Sequence, residues 1–134
     1  MRYLELDTPS LLIDRERLLK NLADMQRYAD ENNVKLRPHT KTHKMPELAK
    51  LQEKQGACGI AVAKVGEAEV MAEQGLRDIF IANEIVGSRK LERIAALSQT
   101  DVRISFGVDT PCQVTQAEKV FSANEVTVPV LIEI

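Results

Sequence analysis

Short apolar runs alternate with longer amphipathic stretches along the whole chain. The runs are Ser10–Ile13, Val34–Arg37, Gly59–Val62, Asp78–Ile81, Val102–Ser105 and Val128–Ile132. Each is as long as a buried strand, and they recur roughly every two dozen residues, the period of a strand-plus-helix unit. The stretches between them read as helices. Asp14 is placed to cap one whose apolar face runs Leu18, Leu19, Leu22, Met25 and Tyr28. Pro46 sits where a first helical turn tolerates proline, and Gly56 where a helix ends. Glu67 to Gln74 forms a short helix stopped by Gly75. Ser88 caps residues 89–97, with Leu91, Ile94 and Ala95 inward. Thr110-Pro111 opens the last helix and Asn124 ends it.

Strands that alternate with helices form a parallel sheet, because parallel neighbours need long crossovers. Such a sheet is either doubly wound or a barrel. A doubly wound nucleotide binder carries a glycine-rich turn after its first strand. Here that turn is Ile13-Asp14-Arg15-Glu16, and no GxGxxG or GxxxxGK[ST] pattern occurs. The barrel is therefore favoured. The chain stops on its most apolar strand candidate, Val128 to Ile134, and its five units plus one strand fall short of the eight that close a barrel. Residues 1–134 are expected to be the N-terminal portion of a larger (β/α)8 domain.

Composition narrows the classes. With 44% hydrophobic and 28% charged residues the 134-residue chain is neither disordered nor membrane-spanning. A formal net charge of -2 leaves no basic surplus for nucleic acid or an anionic membrane. Cys58 and Cys112 lie far apart in no metal-type spacing, so reduced thiols at small buried positions are expected. The first ten residues lack a secretion signal, and a cytoplasmic location is expected.

The candidate chemistry concentrates in Leu36-Arg37-Pro38-His39-Thr40-Lys41-Thr42-His43-Lys44, which holds both histidines of the chain. It follows the second strand candidate, at the end where barrels build active sites. Lysine attacks aldehydes through its neutral amine, which nearby cations and desolvation favour. Arg37, His39, His43 and Lys44 are candidate neighbours of Lys41. A solvated basic loop is the plain alternative. His39 and His43 as a metal pair fit poorly, because no carboxylate or cysteine lies close in sequence. Arg37 suits a phosphate or a substrate carboxylate, or pairing with a surface acid. Asn83 and Glu84 end the fourth strand candidate, where Asn83 could donate to a cofactor oxygen or to a loop carbonyl. Asp109 is expected to organise the turn before Thr110, while Glu133 has no assigned role.

Arg37-Pro38-His39-Thr40-Lys41-Thr42-His43-Lys44 resembles the cofactor-lysine motif of the D-threonine aldolase and D-serine dehydratase family, within the alanine racemase N-terminal-domain superfamily. Thr8–Asp14, Lys64–Met71, Gly75–Glu84 and Val130–Ile134 also look like successive units of that family. The resemblance implies a fold-type III barrel that binds pyridoxal 5'-phosphate, continued by a β-domain outside these residues. It implies that Lys41 carries the cofactor as a Schiff base, with Lys44 as the competing assignment. Arg37, His39 and Asn83 would join Lys41 in binding the cofactor. No metal ligand falls within these residues, and a divalent ion (Mn, Mg or Zn) would be held beyond residue 134. The implied activity is a lyase that cleaves Cα–Cβ of D-3-hydroxy amino acids to glycine and an aldehyde. D-serine dehydratase, an amino acid racemase and a non-catalytic pyridoxal-phosphate homeostasis protein are the alternatives. A D-amino acid substrate and a homodimer are the partners implied.

Overall fold

The structure is a computed structural model that describes residues 3–134. Five helices and four strands follow one another in the order α1 (Arg15–Glu31), α2 (Pro46–Gln55), β1 (Ile60–Val62), α3 (Val65–Glu73), β2 (Asp78–Glu84), α4 (Ser88–Ser98), β3 (Arg103–Val108), α5 (Pro111–Ala123) and β4 (Val130–Ile132). The strands form one parallel sheet in the order β1-β2-β3-β4. Each strand thus lies beside the one before it in sequence. A doubly wound sheet reverses its order at a switch point; this one does not, so right-handed crossovers place its helices on one side, as in a barrel.

The helix ends follow their sequence signals. Asp14 Oδ1 accepts from Arg17 N at 3.1 Å, satisfying an otherwise orphaned donor of α1. Thr110 and Gln113 form a reciprocal capping box on α5, behind Pro111. Ser88 is the first helical residue of α4 rather than its cap, which is Gly87. Helix α3 begins two residues earlier than the pattern indicates and ends at Glu73, ahead of Gly75. Gly75 takes a φ of +96° with nothing within 4 Å of where a Cβ would sit.

Alternation along the strands gives the sheet two faces. Ile60, Val62, Ile79, Ile81, Ile104, Phe106 and Val108 are buried. They join Leu76, Leu91, Ile94, Ala95, Ala117 and Phe121 from the helical layer in one core. Phe106 and Phe121 meet edge to face at 6.0 Å, joining β3 to α5. The other face carries Ala61, Phe80, Ala82, Ser105 and Leu131, which line an open concavity of about 540 Å³.

Four expectations are corrected. Ser10–Ile13 is not in the sheet; it runs outside it with Leu11, Leu12 and Ile13 exposed, so the sheet starts one segment later. The second apolar run joins the sheet two residues further on than its pattern indicates. Cys58 N donates to Leu36 O and Ala61 N to Pro38 O, and His39 bridges Ala61 in parallel. Met25 and Tyr28 of α1 are exposed, whereas Gln26 and Ala29 are buried, because α2 covers a face rotated from the apolar one. Cys58 is half-buried and Cys112 exposed, since Cys112 occupies the open first turn of α5.

Candidate active site

Parallel strands put all their C-terminal ends on one edge of the sheet. Residues 36–39 feed a single turn of 3-10 helix, Thr40–Thr42, at that edge. Thr40 is fully buried, and its Oγ1 donates to Ala61 O at 3.2 Å, pinning the loop to β1. Thr40 O accepts from His43 N and, at 2.7 Å, from Lys44 N. Lys41 is thereby held between a fixed Thr40 and a closed turn, with its own side chain exposed. His39 Nδ1 accepts from Lys41 N at 3.2 Å, which leaves the proton of the neutral ring on Nε2. Partial burial pushes His39 below its usual range, the Lys41 charge adds to this, and Glu67 opposes it.

His43 is turned away from Lys41. Its Nδ1 accepts from Met45 N at 3.0 Å, and burial lowers its basicity. Neither His43 Nε2 nor Gln52 Oε1 reaches hydrogen-bond geometry. Among the described residues no three His, Cys, Asp or Glu side chains are grouped to hold a metal ion, which leaves His39 and His43 without a further ligand.

Lys44 has a φ of +52°, uncommon for a residue other than glycine. Its Nζ lies 3.7 Å from Glu67 Oε1. The other oxygen, Glu67 Oε2, accepts from Ala63 N at 2.8 Å. Asn83 Nδ2 donates to Ala63 O at 3.1 Å, so the turn after β1 is gripped from both sides. This is a bond to a loop carbonyl, one of the roles open to Asn83 in the sequence. Asp109 N donates to Gln113 Oε1, which places Asp109 in the turn that opens α5. Across the mouth, the Glu84 carboxyl raises the pKa of Glu133, with Asp109 adding to the effect.

Lys41, His39 and Asn83 therefore share the C-terminal edge. Arg37 does not. It sits at the opposite end of the strands, where Nη1 lies 2.7 Å from Asp78 Oδ1 and 3.3 Å from the carbonyls of Ile60 and Asp78. Asp78 also faces Arg103 at 3.6 Å. Arg37 pairs with an acid, one of the roles that its sequence position left open. Two residues at the mouth escaped the sequence reading, Thr40 and Glu67. Nothing in the basic run marks Thr40 for burial. Glu67 stands three residues after Lys64, a position from which an acid reaches back, but Lys64 is not a capping residue and the pattern did not register.

The family model for the alanine racemase N-terminal domain matches residues 13–134. The chain belongs to this family. Among its relatives, a D-threonine aldolase of Arthrobacter sp is 40% identical over 128 residues, covering 96% of this chain and 34% of the relative. A 3-hydroxy-D-aspartate aldolase of Paracoccus denitrificans is 36% identical over 106 residues, covering 78% and 27%. The crystal structure of a D-threonine aldolase from Filomicrobium marinum superposes with a TM-score of 0.92 at 41% identity, over 96% of this chain and 34% of that one. The chain spans about a third of the length of the relatives it matches. The open parallel sheet corresponds to the N-terminal portion of the barrel in that family. No helix among the described residues is long and apolar enough to cross a membrane.

Proposed function

We propose that this chain is the cofactor-lysine segment of a pyridoxal-phosphate-dependent lyase. It would cleave Cα–Cβ of a D-3-hydroxy amino acid, with D-threonine giving glycine and acetaldehyde. The observation that carries the reading is Lys41, exposed at the C-terminal edge of a parallel barrel sheet and fixed through Thr40 and His39. The identity to D-threonine aldolases supports the reaction class.

The residues present fit part of the cofactor. Its aldehyde needs an accessible amine, and among the described residues Lys41 makes no ion pair while Lys44 faces Glu67. Lys41 is therefore the better covalent anchor. Its phosphate needs cationic or amide donors, and Arg37 is already committed to Asp78 at the far end. When bound, pyridoxal phosphate supplies an electron sink for the pair left on Cα when a bond there breaks. The protein's part is to orient and to move protons. His39, neutral with Nδ1 occupied, keeps its Nε2–H free to donate toward the concave face it lines. Asn83 holds the neighbouring turn in place. A divalent metal held beyond residue 134 belongs to the same proposal, as does a homodimer.

A dehydratase is the second reading, because a D-threo-3-hydroxyaspartate dehydratase of Delftia is 44% identical over 79 residues. Borohydride reduction of the full-length protein with pyridoxal phosphate, followed by peptide mapping, tests the anchor. Label on Lys41 is expected; label on Lys44, or none, overturns it. Glycine and acetaldehyde from D-threonine identify the aldolase, and ammonia with a keto acid identifies the dehydratase.

A further inference from the structure

His39, His43 and Lys44 lie within three residues of Lys41, and among the described residues the loop's ion-pair partner from another element is Glu67. The Glu67 side chain is 15% exposed, and a carboxylate that far from water needs partners. The start of α3 and the Ala63 amide already satisfy one oxygen, as in an ordinary helix cap. The second oxygen turns to Lys44, whose left-handed backbone closes the loop by donating to Thr40 O. One carboxylate thus joins the turn after β1 to the far end of the loop that carries Lys41. Its charge also reaches His39, which accepts from the Lys41 amide.

We propose that Glu67 is a positioning residue for Lys41, tying its loop to the turn after β1 through Lys44 and balancing the positive charge around its amine. This rests on the reading of Lys41 as the cofactor lysine. The charged and titratable groups that meet the Lys41 loop are His39 and Lys44 within it and Glu67 from α3, with Lys64, the N-cap of α3, lining the same cleft as Glu67. His43 Nδ1 is taken by the Met45 amide.

Removing either member of the pair changes the charge in opposite senses. Glu67→Gln keeps an acceptor for Ala63 N but deletes the negative charge. Lys44→Met deletes a positive charge. Competitive acetylation of the full-length, cofactor-free protein at pH 8, read as the labelling rate of the Lys41 peptide by mass spectrometry, distinguishes them. Glu67→Gln should label roughly threefold faster, Lys44→Met roughly threefold slower, and the double variant near the wild-type rate, as expected of one charge near an exposed amine. A merely structural tie would loosen the loop in both single variants and move both rates the same way. Rates that move together, or do not move, overturn the proposal. Should Glu67→Gln fail to fold, Lys44→Met decides alone: slower labelling supports the proposal, and unchanged or faster labelling overturns it. The underlying reading fails separately, when borohydride fixes pyridoxal phosphate in the wild type anywhere but Lys41.

Discussion

Gly59 offers the sharpest test of how the floor of the sheet is built. Its φ is +136°, and a Cβ there would lie 2.5 Å from Arg37 Nη1 and 2.6 Å from Asp78 O. The carbonyl belongs to β2 and cannot give way cheaply. The guanidinium can move only by leaving Asp78, its partner at 2.7 Å in a pair whose side chains are 29% and 27% exposed. Gly75 is the internal control, with a φ of +96° but open space around it. Gly75→Ala should cost about 1 kcal/mol, the backbone penalty alone. Gly59→Ala adds the loss of a half-buried charge-assisted hydrogen bond, about 1.5–3 kcal/mol, and a backbone clash. The sum is about 3–5 kcal/mol, a large part of a typical domain's stability and worth roughly 10 °C or more in melting temperature. Thermal unfolding of the two variants, followed by circular dichroism, measures the difference. Equal losses would refute the argument, since they would mean that Arg37 and Asp78 do not crowd Gly59.

Two further outcomes are expected. Thr40→Val preserves shape but removes the donor to Ala61 O. It should cost about 1 kcal/mol in urea denaturation and increase amide exchange at Lys41 and Lys44; unchanged exchange would show that the hydroxyl does not pin the loop. His43 and His39 are both less basic folded than unfolded, first through burial. Between the folded and unfolded pKa the unfolded chain binds more protons, so this contribution is complete above the unfolded value near 6.5 and is lost as pH falls below it. The urea midpoint should therefore drop from pH 7.5 to 5.5, and less so in His43→Gln; an equal drop in that variant would exclude His43 as a source.

How much of this was legible in sequence depended on the distance between cause and effect. Thr110 and Pro111 announce the start of α5, and the structure adds Gln113, which completes a capping box with Thr110. The parallel order followed from the period of the apolar runs, because only a crossover fills such gaps. Ser10–Ile13 has the composition of a strand, but composition carries no information on whether a neighbour is present to pair with. Arg37 and Asp78 stand 41 residues apart, and only the register of three parallel segments brings them together. The Lys41 motif was visible as a motif. That Lys44 faces an acid while Lys41 does not was hidden in the φ of one residue and the reach of Glu67.

The consecutive order of the sheet also bears on how the protein is made. Each strand's partner on one side has already left the ribosome when that strand emerges, so the sheet can lengthen by one unit at a time without waiting for distant sequence. The expected result is that β1 and β2 gain amide protection in stalled chains that stop soon after α4; protection appearing only after β4 is synthesised would contradict it. On this view the lysine loop, whose anchor Ala61 lies on β1, is ordered early in synthesis.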